Sequence, residues 1–125
     1  VSCAIANEVL NEVKNKKLQQ NSKKIGDYII SEISKLTTKF PIISNVRGKG
    51  LFIGFELTNK DLQPLPLQTK YLVNRIKDFK ILLSSDGADK NVVKIKPPII
   101  FNKQNVDYLI KSLNIVLKED FMKYY

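Results

Sequence analysis

The hydrophobic period of this chain changes between Ile42 and Leu57, and that change restricts its fold more than any other feature. Before it, apolar residues recur at helical spacing: Ile5, Ala6, Val9, Leu10 and Val13, then Ile25, Ile29, Ile33 and Leu36. From Leu51 they alternate, with Leu51, Ile53, Phe55 and Leu57 on one face and Gly54 and Glu56 on the other. Side chains of a strand point to opposite faces in turn, so this pattern predicts a half-buried strand. The paired glycines Gly48 and Gly50 in front of it supply the backbone freedom of a sharp turn.

The remaining elements follow from caps and breakers. The first helix fades through the polar stretch from Asn15 to Gln20, and the second is expected to begin at Asn21 or Ser22, either a suitable cap, and to stop at Phe40-Pro41. Thr58 to Pro66 reads as a surface loop. A third helix buries Tyr71, Leu72, Ile76 and Phe79, a short strand covers Ile81 to Leu83 with Asp86-Gly87 as its turn, and a last strand runs from Asn91 to Lys96. Asn102 then caps a closing helix whose stripe is Val106, Leu109, Ile110, Leu113, Val116 and Leu117. The tail from Phe121 to Tyr125 is expected to fray. Helix, helix, strand pair, helix, strands, helix is an α+β order, and 125 residues suit one compact core.

Composition removes several classes of function. A hydrophobic fraction of 43% argues for a folded globule. No apolar run approaches the roughly 20 residues that span a bilayer. Val1 to Ala6 lack a basic leader and run into a helix pattern, so they do not read as a targeting peptide. Cys3 is the sole cysteine, which excludes an internal disulfide and predicts a small buried residue. Histidine is absent, which removes the commonest general base and metal ligand, so no metal site is expected. The net charge of +9, from 21 Lys and Arg against 12 Asp and Glu, could attract nucleic acid, anionic membrane or phosphorylated substrates. Because most lysines are scattered over the helices, a solvated surface is the simpler reading, and neither nucleic acid nor membrane is expected as a partner.

The last strand carries the candidate site. Alternation puts Lys94 and Lys96 on one face about 6.6 Å apart, while Val93 and Ile95 turn into the core. Two converging ammoniums suit a phosphate monoester, which lysine binds as a point charge. From the residues alone the simpler alternative is a pair of exposed lysines protecting a sheet edge. Arg47 opens its strand and reads as a structural clamp on a nearby carboxylate or carbonyl. Ser85 and Asp86 read as ordinary turn residues. The segment Arg47-Gly48-Lys49-Gly50 lacks the spacing of a phosphate-binding P-loop.

Two segments carry a family resemblance. R-G-x-G-L-x-x-G-x-E, from Arg47 to Glu56, resembles the opening of the C-terminal small domain of class III aminotransferases, which use pyridoxal phosphate (PLP). L-L-S-S-D-G-x-x-x-N-x-x-K-x-K-P-P, from Leu82 to Pro98, resembles the alanine-glyoxylate aminotransferase 2-like branch. Most of the family carries arginine three residues before the first proline; here that position is Lys94. A guanidinium there would fork onto an α-carboxylate, whereas an ammonium is a compact charge without the planar fork.

The resemblance covers Val1 to about Glu119 and implies the following. Residues 1–20 would be a linker helix from a large PLP-binding domain and residues 21–125 the small domain, a sheet covered by helices. The Schiff-base lysine and most cofactor contacts would lie upstream, so the fragment alone would be inactive and no residue in it catalytic. The full-length enzyme would be a mitochondrial homodimer and a phospho-lyase, eliminating phosphate and ammonia from ethanolamine phosphate or 5-phosphohydroxy-L-lysine. Lys94, with Lys96 beside it, would hold the anionic end of the substrate. Arg47 could contact cofactor, substrate or the partner subunit, and Ser85 and Asp86 would lie near the active-site entrance, with the clamp and turn readings ahead of these roles. The alternatives are a true aminotransferase using glyoxylate or pyruvate, and, in another class, a stand-alone basic α+β module binding RNA or another polyanion. Phe52 and Phe55 fall on opposite strand faces without an R-G-F-type motif, which weakens the RNA reading.

Overall fold

The computed structural model describes residues 1–123. Its helices are α1 (Ser2–Asn15), α2 (Leu18–Lys39), α3 (Pro66–Arg75) and α4 (Lys103–Leu117), and its strands are β1 (Ile43–Lys49), β2 (Phe52–Leu57), β3 (Ser84–Asp86) and β4 (Val92–Ile95). Short 3-10 turns at Ile76–Phe79 and Asp120–Met122 follow α3 and α4. The four strands form one antiparallel sheet in the order β1-β2-β4-β3. The α+β class expected from the sequence is the architecture found.

Strand alternation divides the sheet into a dry face and an open one. Ile43, Ile53, Phe55, Leu57, Val93 and Ile95 are buried, and they share a core with Ile29 and Ile33 of α2, Leu72 of α3, and Val106 and Leu113 of α4. Arg47, Lys49 and Phe52 lie exposed on the opposite face. α4 begins as expected at Asn102, whose side chain accepts from the Asn105 backbone N–H while the Asn105 side chain accepts from that of Asn102, a reciprocal capping box.

Helix α2 sets the position of the sheet through a close approach. A Cβ added to Gly26 would stand 1.9 Å from the Gly50 carbonyl oxygen, so the β1–β2 turn rests directly on the helix backbone. Gly50 itself has φ of +56°, a conformation glycine adopts without steric cost.

Four sequence expectations are corrected. α2 starts at Leu18, after Lys17 in the left-handed region (φ 51°), and no side chain caps it. Neither Asn21 nor Ser22 is therefore the cap; the Asn21 amide instead donates to the carbonyls of Ile99 and Phe101, at 3.0 and 3.1 Å. Cys3 is exposed, because nothing in the described residues covers the outer side of α1, where Ile5, Val9 and Leu10 are exposed too. The strand expected at Ile81 to Leu83 lies instead at Ser84–Asp86: Ile81 and Leu83 pack against the core without a ladder partner, and Leu82 stands in the open.

The expected fraying of the tail is also overturned in part. Met122 is 1% exposed, and the Phe121 ring lies 4.7 Å from that of Tyr71. Glu119, just before them, accepts from the Tyr71 hydroxyl at 2.8 Å and from Arg75 Nε at 3.0 and 3.1 Å, which fixes the chain leaving α4. Tyr124 and Tyr125 lie outside the described residues.

Candidate anion-binding face

The open face of the sheet carries one row of residues across all four strands. Arg47 of β1 pairs with Gly54 of β2, Gly54 pairs with Lys94 of β4, and Lys94 pairs with Ser84 of β3. Gly54 thus stands between two cations and contributes no side chain, which leaves a depression of about 250 Å³ bounded by Arg47, Lys49, Phe52, Val92 and Lys94. The register follows from parity: with Ile53, Phe55, Val93 and Ile95 committed to the core, Gly54 and Lys94 have only the outward face.

The cations differ in what holds them. Arg47 donates to Glu56 at 3.0 Å and to the Asn45 carbonyl at 3.1 Å, and Glu56 also accepts from the Asn45 side chain. Arg47 is therefore the clamp its position predicted, fastening the irregularity in β1 between Ser44 and Arg47, where Asn45 has φ of +47°. Lys94 forms an ion pair with Asp86 of the edge strand β3. Its side chain is 25% exposed, and it is the only lysine among the described residues that is half-buried rather than exposed.

Lys96, just past the end of β4, has no carboxylate partner among the described residues; its ammonium lies 5.1 Å from the centre of the Phe52 ring, with that of Lys94 at 5.9 Å. Both are within reach of the ring's negative face, so an exposed phenyl group gathers the two charges. The Asp86 carboxyl is held below its ordinary range, first by Lys94 and then by the Gly87 backbone N–H.

The two predicted site residues are thus brought together, as parity required. The sequence ranks Asp86 first as a turn residue, because a three-residue strand of Ser-Ser-Asp carries no apolar alternation, and it does not place Phe52 beside the lysines. Phe52 could have been found, since an aromatic residue on the outward parity of β2 has no core to enter. Ser85 pairs with Val93, one residue out of phase with Lys94, and does not join the row.

An apolar cleft of about 460 Å³ adjoins this face, formed by Ile81 to Leu83, Pro97, Pro98 and Tyr108, with Lys96 at its margin. The loop beyond Pro98 is the one Asn21 grips.

Cations beside an uncrowded depression can seat an anion, but no lysine among the described residues is buried, and none stands in an enclosed cavity with the acid partner that a PLP ring nitrogen needs. The described residues do not form a cradle for that cofactor. No group of His, Cys, Asp and Glu suitable for a metal ion occurs among them either.

The sequence profile of the aminotransferase class-III family matches residues 1–117. An alanine–glyoxylate aminotransferase 2-like protein of Drosophila melanogaster is 43% identical over 95% of this chain and 26% of its own length. The mitochondrial alanine–glyoxylate aminotransferase 2 homolog 2 of Arabidopsis thaliana is 33% identical over 91% of this chain and 24% of its own. The chain thus spans about a quarter of the length of these curated relatives. Among solved structures, a phospholyase from Arthrobacter in complex with phosphoethanolamine superposes with a TM-score of 0.84 at 28% identity, over 87% of this chain and 26% of that one.

Proposed function

The chain belongs to the class-III aminotransferase family, whose enzymes are PLP-dependent, and we propose that it forms the substrate-recognition part of a phospho-lyase. Residues 1–20 act as the connecting helix and residues 21–125 as the C-terminal small domain, with the cofactor held by the rest of the enzyme. The overall reaction is elimination with hydrolysis: a phosphorylated amine and water give an aldehyde, ammonia and inorganic phosphate. A mitochondrial homodimer fits this reading, and the name of the Arabidopsis relative supports the location.

The observation that carries the proposal is Lys94, half-buried on the open face beside the gap left by Gly54. A compact ammonium there attracts a dianion without demanding the planar fork of a carboxylate, and Lys96 adds a second charge across the Phe52 ring. The similarity to a phospholyase with bound phosphoethanolamine supports the same chemistry. A second reading is transamination with glyoxylate or pyruvate as acceptor; the names of these two relatives, alanine–glyoxylate aminotransferases, support transamination with glyoxylate.

Kinetics of the full-length enzyme separate the two. Lys94→Ala is expected to lower kcat/KM for ethanolamine phosphate or the phosphorylated hydroxylysine by about 1.5–3 kcal/mol, with the cofactor spectrum unchanged. Lys94→Arg restores the carboxylate fork and is expected to shift preference toward α-amino acids. Full phosphate-releasing activity in Lys94→Ala would remove Lys94 from the site, and amino-group transfer without phosphate release in the wild type would establish the second reading.

A further inference from the structure

We infer that Asp86 is a resident counter-ion of the anion site, occupying Lys94 before substrate arrives and weakening the hold on phosphate once it has been released. This rests on the reading that Lys94 seats the anionic end of the substrate.

Among the described residues, Asp86 alone neutralises the Lys94 ammonium. Directly across on β2 is Gly54, with no side chain; directly across on β3 is Ser84, which is neutral; the ring of Phe52 lies 5.9 Å away. Glu56, the other carboxylate on this face, is committed to Arg47 and Asn45. Among the described residues Asp86 is the only acid bonded to Lys94, reaching it diagonally from the position opposite Val92.

Asp86 is also built to let go. It ends a three-residue strand on the sheet edge, it is followed by Gly87 at φ of +88°, and its side chain is 54% exposed. The exposed carboxylate can turn into water as an incoming anion takes over Lys94, giving up the bonds from Lys94 and from the Gly87 backbone N–H. An ammonium with no carboxylate beside it would keep its full attraction for any phosphate. With Asp86 present the anion gains only the difference between the two partners, and because Asp86 stays close its repulsion weighs more on a dianion than on a monoanion. The residue therefore sets how firmly phosphate is held.

Titration calorimetry of the full-length holoenzyme, whose cofactor site is already filled, tests this with inorganic phosphate and with acetate at fixed ionic strength. Asp86→Asn removes the charge and keeps the shape. It is expected to bind phosphate about tenfold tighter and acetate by a smaller factor, as repulsion scaling with charge requires. Lys94→Ala is expected to lose phosphate binding, and adding Asp86→Asn to it is expected to restore nothing. Unchanged or weaker phosphate binding in Asp86→Asn, alongside loss in Lys94→Ala, would overturn the counter-ion while leaving the Lys94 reading intact. An equal gain with and without Lys94 would also overturn it, by showing a diffuse field effect. Wild-type phosphate binding in Lys94→Ala would defeat the reading beneath it.

Discussion

Gly26 and Gly50 lie so close that neither backbone can be withdrawn from the other by a side-chain adjustment: a Cβ on Gly26 would stand 1.9 Å from the Gly50 oxygen and 2.5 Å from its carbonyl carbon. The obstacle is main chain on both sides. Gly26→Ala therefore forces the β1–β2 turn off helix α2 and is expected to destabilise the chain by about 1–3 kcal/mol, as overpacking of a tight core does. A lowered urea midpoint at unchanged slope is the expected result, and a wild-type midpoint would contradict the close approach.

Met122 tests the seating of the chain after α4. At 1% exposure it is as buried as the core of α4, although the sequence around it reads as a loose end. Met122→Ala is expected to cost about 2–5 kcal/mol in denaturant unfolding, the range for truncating a buried methionine. A change within about 0.5 kcal/mol, typical of exposed positions, would show that the end is free.

Tyr28 provides an alkaline marker. Its hydroxyl donates to Asp107 at 2.5 Å, and that bond, with burial and the nearby acids, pushes its pKa from 10.0 up to about 12. The folded state favours the protonated phenol, so the stabilisation from this bond is complete below pH 10 and is lost as pH rises through about 12. Phenolate absorbance is expected to show a late-titrating tyrosine that Tyr28→Phe removes. A titration curve of unchanged shape in that variant would contradict the assignment.

Gly54 separates shape from charge at the site. A Cβ there would meet Val92 Cγ1 and the Val93 oxygen at 3.4 Å, which the sheet can hold with little adjustment. Gly54→Ala is expected to fold with a melting temperature within about 4 °C of the wild type. In the full-length enzyme it is expected to raise KM for the phosphorylated amine by narrowing the gap between Arg47 and Lys94. An unchanged KM would mean that the substrate does not use this gap.

What the sequence discloses here follows from parity and period. The stripes of α2 and α4, the inward turn of Val93 and Ile95, and hence the common face of Lys94 and Lys96 all depend on repeats within one element. Relationships that depend on chain meeting chain were not legible. Asn21 resembles a cap because its side chain can close a first turn, yet its donors serve carbonyls 78 and 80 residues away. Asp86 resembles a turn residue because Ser84–Asp86 is too short to show a pattern, yet it neutralises Lys94 across the ladder. Cys3 has the composition of a buried site, and its exposure reflects a helix with no covering element among the described residues.

Asn21 and Gly26 are five residues apart on one helix, a rise of about 7.5 Å. From the first hangs the loop that follows Lys96, and on the second rests the turn between Arg47 and Phe52. The two flanks of the cationic face are thus measured from a single rigid rod, with no joint between their points of attachment. Any motion that carries α2 carries these charges as one template, with their mutual spacing unchanged, so the face approaches or leaves a substrate as a unit.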